Sequence, residues 1–234
     1  MVHLTLTAQF NRDVSTITTL PKGSLIFVTG ITGFTASHTA LEFLKLGYKV
    51  RGTVRDPLKA KWVIEELFHS YAIKGGLEII AVPDMASESA FDEAVKGVSA
   101  VAHLATIATW DPDPNKVIAQ TISGAMNALK SASKGPSVKQ FMYTSSAAAV
   151  LPAPNLEFHC DETSWNDTAV QLAWVPPPYD ARAIITYMTS KVEAEKAVWK
   201  FAKETNLNFT VNTVLPFTTF GKVLSKNQAG STAG

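Results

Sequence analysis

The sequence predicts a doubly wound parallel α/β sheet, and three observations carry that prediction. Six short apolar, β-branched runs alternate with helix-patterned segments. The unusual residues cluster at the carboxyl ends of those runs, where the ligand crevice of such a sheet lies. No internal repeat of solenoid period competes with this organisation.

The elements follow in order. Ser24 to Thr29, bounded by Gly23 and Gly30, reads as a strand buried on both faces. From Thr35 the spacing turns helical, with Ala36, Ala40, Leu41 and Leu44 on one side, and Gly47 ends it. Lys49 to Val54 is the second strand, and Pro57 to Tyr71 is predicted as a helix with Pro in its first turn. "LEIIAV", "VSAVAHLA" and "QFMYTSS" are the next three strands; a helix opened by Asp113-Pro114 and running to about Ser133 separates the last two. A Pro-rich stretch from Leu151 to Pro178 precedes a long helix near Ile184 to Thr205 and the final strand, "NFTVNTVL".

Composition bounds the rest. The chain has 234 residues, enough for one large domain or a domain plus a fragment of another. A 46% hydrophobic share supports a core, and a net charge of +1 gives no field directed at nucleic acid or an anionic membrane. The single cysteine, Cys160, cannot form an intrachain disulfide, which suits a reducing compartment. The first twenty residues lack the continuous apolar core of a signal peptide, so a cytoplasmic location is expected.

The stretch "VTGITGFTA" raises the question of function. Gly30, Gly33 and Ala36 give G-x-x-G-x-x-A between a strand and a helix. Glycine lets phosphate approach backbone N–H groups, and the following helix offers its positive dipole end. Thr29, Gly30, Thr32, Gly33, Phe34 and Thr35 are therefore candidates for contact with a dinucleotide. The second strand ends Val54-Arg55-Asp56, with Lys59 following. An Arg first in that order favours a 2′-phosphate, hence NADP(H) over NAD(H); the alternative is an Arg55–Asp56 surface pair. Further candidates at strand ends are Asp84, Met85, His103, Ala105 and Pro216. His103, inside an apolar strand, reads as a core or cofactor-rim residue rather than a metal ligand. His159-Cys160-Asp161 lacks a second ligand cluster, so no metal is expected.

"YMTSK" sets Tyr187 and Lys191 at i and i+4, on one helix face. An unperturbed tyrosine titrates near about 10, and a lysine ammonium one turn away is expected to lower that value. Such a pair can protonate a carbonyl oxygen as hydride arrives at its carbon. Of Ser145 and Ser146, strand alternation predicts that only one faces the crevice.

"PKGSLIFVTGITGFTASH", "YKVRGTVRD", "VKQFMYTSSAAAV", "YMTSKVEAEKAVWKFAKE" and "NFTVNTVLPFTTFG" together resemble the extended short-chain dehydrogenase/reductases. Within that group the chain is most similar to fungal NADPH-dependent aldehyde and ketone reductases related to dihydroflavonol reductase. The resemblance runs from about residue 20 to the end. It implies a Rossmann-like NAD(P)-binding domain over residues 23–221, carrying a Pro-rich insertion at 151–183. Residues 1–22 would be an N-terminal extension, and residues 222–234 the remnant of a truncated substrate lobe. It implies Ser146 as the carbonyl-binding residue, Tyr187 as acid/base, and Lys191 as the residue that tunes Tyr187 and holds the nicotinamide ribose. Arg55 would meet the 2′-phosphate, Asp84 and Met85 the adenine, and Pro216 and Phe217 the nicotinamide. The substrate is then a small carbonyl compound. The insertion is expected to supply part of the substrate wall, and a homodimer or another protein to cover the cleft. Two other readings share this scaffold. A sugar-nucleotide epimerase or dehydratase favours an acidic residue where Arg55 stands and, for a dehydratase, a carboxylate at the Ala147–Ala148 step; a catalytically weak NADP(H)-binding remnant is the other.

Overall fold

The computed structural model describes residues 20–151 and 160–228. The expectations for residues 1–19, 152–159 (His159 included) and 229–234 lie outside the described residues. Strands β1 (Leu25–Val28), β2 (Lys49–Val54), β3 (Leu77–Ala81), β4 (Ala100–His103), β5 (Gln140–Thr144) and β6 (Thr210–Val214) form one sheet. Every pairing is parallel and the order is β3-β2-β1-β4-β5-β6. The connection reverses between β1 and β4, which opens a crevice beyond their carboxyl ends.

The helices are α1 (Phe34–Lys45), α2 (His69–Ala72), α3 (Pro114–Lys134), α4 (Asp167–Ala173) and α5 (Ala183–Glu204). Side-chain alternation divides the core between the two faces of the sheet. Ile26 and Val28 of β1 pack with Val50, Ala40, Leu44 and Phe68. Phe27, pointing the other way, joins Val101, Phe141, Leu129 and Val198. β1 is covered on both sides, so its sequence is continuously apolar. Asp113 caps α3, accepting from Asn115 N–H at 3.0 Å, with Pro114 in the first turn where its missing N–H costs nothing.

Two predicted features differ. The expected helix over 57–71 is a turn, a π-helical stretch at Val63–Leu67 and the single turn of α2. Phe68 N–H donates to Val63 O at 2.9 Å, an i to i+5 bond that inserts one residue into the turn. The extra residue brings Val63 and Phe68 to full burial together. Within the Pro-rich stretch, α4 forms where no helix is expected. Asn166 caps it by accepting from Ala169 N–H at 3.1 Å, and the same amide donates to Leu151 O at 2.7 Å and to Ala148 O at 3.1 Å. Asp167 ties α4 to α5 through Lys196 at 2.6 Å.

The loop after β1 is seated by a glycine whose importance the sequence does not announce. A Cβ on Gly52 would stand 2.5 Å from Ile31 Cδ1, 2.8 Å from its Cγ2 and 2.9 Å from its Cβ. Ile31 is completely buried, so Gly52 is the socket that fixes this loop on β2. Rotating the Ile31 side chain cannot clear a contact with its own Cβ. Gly52→Ala is therefore expected to cost roughly 1–3 kcal/mol by overpacking, at about 2–4 °C of Tm per kcal/mol. Thermal unfolding followed by circular dichroism checks this, and an unchanged Tm contradicts it.

Candidate active site

A cleft of about 1070 Å³ opens at the carboxyl ends of the strands. Gly30, Thr32, Gly33, Phe34 and Thr35 line it at the first turn, Arg55 and Lys59 after β2, and Asp84 and Met85 after β3. Ala105, Ser146, Tyr187, Lys191 and Pro216 complete the predicted set within its wall. Thr29 and His103 do not line it; both are buried beneath the floor.

Their placement has a structural reason. Thr29 Oγ1 accepts from the backbone N–H groups of Leu104 and Ala105, each at 2.9 Å, and lies 3.0 Å from His103 Nδ1. With both lone pairs taken, the hydroxyl proton goes to Nδ1, which leaves His103 as the neutral Nε2–H tautomer. The imidazole also stacks on Tyr143, with ring centres 6.0 Å apart. His103 is thus a joint between the ends of β1 and β4, not a rim residue.

Gly30 sits directly above this joint at φ +67°, and a Cβ there would meet Ala105 Cβ at 3.2 Å. Its N–H donates to Thr53 Oγ1 at 2.9 Å. Gly33 precedes α1, whose first turn has neither a side-chain cap nor an acidic residue. Those free N–H groups and the helix dipole open onto the cleft, as a pyrophosphate requires. The hydroxyl oxygens of Thr106 and Ser145, both in lining residues, are buried without a hydrogen-bond partner among the described residues. The cleft thus has the uncapped helix end and orphaned polar atoms that a dinucleotide would satisfy. After β2, Asp56 accepts from Leu58 N–H at 2.9 Å and approaches Lys59 to 4.0 Å. The Arg55 guanidinium has no carboxylate partner among the described residues, so the expected surface alternative does not form.

On the opposite wall, α5 presents Tyr187 and Lys191. The start of α5 is anchored by Thr186 Oγ1, which donates to Pro112 O at 2.9 Å. Lys191 is buried; its Nζ donates to Thr144 O at 3.3 Å and lies 5.8 Å from the ring centres of both Tyr143 and Tyr187. Burial lowers its pKa to about 8, against the opposing pull of Glu195. Tyr187 moves opposite to the sequence expectation: burial pushes its hydroxyl above the ordinary tyrosine value, while a hydrogen bond from Ser146 acts to lower it. Desolvation of a phenolate outweighs the neighbouring groups in this wall. The Trp110 ring, on a backbone at φ +54°, lies 5.3 Å from that of Tyr187.

Ser145 and Ser146 both line the cleft, against the alternation argument. β5 ends at Thr144, so the two-residue period stops there. Ser146 is extended and caps a 3₁₀ turn over Ala147–Ala149, accepting from Ala148 N–H at 3.2 Å. None of the described residues of the Pro-rich insertion lines the cleft; α4 packs against α5 instead.

Gln228 is a lining residue that the sequence reading missed. Its Nε2 donates to Ser37 Oγ at 2.7 Å, and its Oε1 accepts from Leu224 N–H at 3.0 Å. This contact joins positions about 190 apart in the chain and leaves no local signal in sequence. Among the described residues no helix is long and apolar enough to cross a membrane, and no group of His, Cys, Asp and Glu could hold a metal.

With this geometry in place, residues 26–233 match the NAD dependent epimerase/dehydratase family, and the chain belongs to that family. An NAD-dependent epimerase/dehydratase, terH, of Aspergillus terreus is 41% identical over 216 residues, covering 92% of this chain and 63% of the relative. Aldehyde reductase 2 of Sporidiobolus salmonicolor is 41% identical over 219 residues, with the same coverages of 92% and 63%. The yeast methylglyoxal/isovaleraldehyde reductase Gre2, solved in complex with NADPH, superposes with a TM-score of 0.70 at 29% identity, covering 85% of this chain and 59% of that one. The chain thus spans less than two thirds of the relatives it matches.

His103 makes stability pH-dependent. Burial, and secondarily the charge of Lys191, lower its pKa from the ordinary 6.5 to about 3. The unfolded chain therefore takes up this proton first. The contribution is fully present above pH about 6.5 and is lost as pH falls from there toward 3, at up to about 1.4 kcal/mol per pH unit. Urea unfolding between pH 7.5 and 5.5 should show this slope, and His103→Asn should flatten it. A slope untouched by the substitution contradicts the assignment.

Proposed function

We propose that this chain carries the cofactor-binding and catalytic parts of an NADPH-dependent oxidoreductase that reduces an aldehyde or ketone to an alcohol. The observation that carries the reading is the convergence of Ser146, Tyr187 and Lys191 on one wall of a cleft whose other end is the uncapped N-terminus of α1. The reductase names of several relatives support it. So does Arg55, a cation where a dinucleotide's ribose would lie, which favours a 2′-phosphate over an unmodified ribose.

When bound, NADPH supplies the hydride. The glycine turn and the first N–H groups of α1 would hold its pyrophosphate, Arg55 and Lys59 its 2′-phosphate, Asp84 and Met85 its adenine end, and Pro216 its nicotinamide end. The remaining chemistry belongs to the chain. Ser146 donates a hydrogen bond to the substrate carbonyl and polarises it. Tyr187 delivers its phenolic proton to the same oxygen as charge develops there; burial opposes that release and the hydrogen bond from Ser146 favours it. The Lys191 ammonium behind the ring stabilises the phenolate left after transfer.

Tyr187→Phe keeps the ring and removes the proton. Turnover of an aldehyde that the parent reduces, followed by loss of NADPH absorbance, should fall roughly 10²–10⁴-fold with NADPH affinity retained. Full turnover in this variant rules out the assignment. For the cofactor, Arg55→Ala should weaken NADPH binding by roughly tenfold, the loss of one charge-assisted hydrogen bond, and leave NADH binding nearly unchanged. Equal losses in a fluorescence titration with the two cofactors would refute the 2′-phosphate role.

A further inference from the structure

Lys191 and Glu195 lie four residues apart on α5 and so share a face. Both are almost completely buried, at 3% exposure each. The Lys191 ammonium has one hydrogen bond, to Thr144 O, and two aromatic rings around it. Glu195 Oε1 accepts from Trp199 Nε1 at 3.3 Å, while Oε2 is buried with no partner. An isolated buried ammonium and an isolated buried carboxylate are each costly; on one helix face, beyond direct ion-pair contact, each still offsets part of the other's desolvation.

We infer that Glu195 is a positioning residue, its buried carboxylate serving as the counter-charge that holds the Lys191 ammonium in place behind Tyr187. The catalytic consequence rests on the reductase reading above; the charge pair itself belongs to the chain without cofactor. Among the described residues, the titratable groups that face Lys191 are Tyr187 and Glu195 from α5, Tyr143 from β5 and His103 from β4. Burial holds His103 neutral, with its pKa near about 3, and pushes both tyrosines above the ordinary value. Glu195 is the one carboxylate in the set, and its charge also raises Tyr143. Burial lowers the Lys191 pKa, and Glu195 is the group that opposes it. The indole of Trp199 orients the carboxylate without neutralising it.

The test begins with the cofactor-free protein. The Lys191 side chain is followed by NMR through a pH titration, its signal assigned by its loss in Lys191→Arg. Glu195→Gln, which keeps the shape and the Trp199 contact, should move the Lys191 midpoint down by roughly one pH unit or more, about tenfold in proton concentration. Glu195→Asp, which keeps the charge, should stay close to the parent. A folded Glu195→Gln protein with an unmoved midpoint overturns the inference. If that variant fails to fold, Glu195→Leu gives the same reading: the Lys191 midpoint should again move down, and an unmoved midpoint overturns the inference equally. In kinetics, Glu195→Gln should lose aldehyde reduction about tenfold at pH 8 and recover toward the parent at pH 6. A shifted Lys191 midpoint in a chain that reduces no aldehyde or ketone upholds the pair and refutes the reductase reading alone.

Discussion

One hydroxyl group joins the two halves of the sheet where the crevice opens. Thr29 Oγ1 stands at the end of β1, takes the first two backbone N–H groups beyond β4, and gives its own proton to His103. Without it, those N–H groups would be buried orphans, each costing on the order of 1–3 kcal/mol. With it, the loop after β4 lies against the loop after β1, close enough that a Cβ on Gly30 would stand 3.2 Å from Ala105 Cβ. The floor of the cleft is therefore set by a buried joint that does not itself line it.

Around that joint the fold arranges opposite electrostatic conditions at the two ends of the cleft. At the α1 end, uncapped N–H groups, Arg55 and Lys59 offer positive charge to a phosphate. At the α5 end the side chains are largely buried. Lys191 is held near the point of losing its proton, and Tyr187 is held firmly protonated. Desolvation holds the proton on the resting Tyr187, while the hydrogen bond from Ser146 works the other way. Burial produces both properties, and the buried carboxylate of Glu195 limits how far the lysine is driven.

Much of this was legible in the sequence because it is local. The alternation of β-branched runs with helical spacing records a parallel sheet covered on both faces. The glycine turn must follow its strand directly, and Tyr187 and Lys191 share a face by helical geometry alone. Where local pattern failed, a longer-range demand overrode it. Val63 and Phe68 reach the core together only through a π-turn. The Pro-rich stretch hides α4, which exists because Asn166 caps it and binds two carbonyls of the preceding segment. Ser145 and Ser146 escape strand alternation because the strand has already ended.

By itself, then, the sequence determined the order of elements, the parallel sheet and the residue types available at each strand end, since periodicity and turn chemistry act over a few neighbouring residues. Tertiary structure decided what each of those residues does. It put Thr29 beneath the cleft floor and decided for the core reading of His103 over the rim, because the hydrogen bonds that bury them come from 74 to 76 positions away. It reversed the expected direction for Tyr187, because desolvation depends on everything packed around a ring and not on the lysine four residues along. It also supplied Gly52 beneath Ile31 and Gln228 beside Ser37, pairings of distant positions that no sequence period encodes.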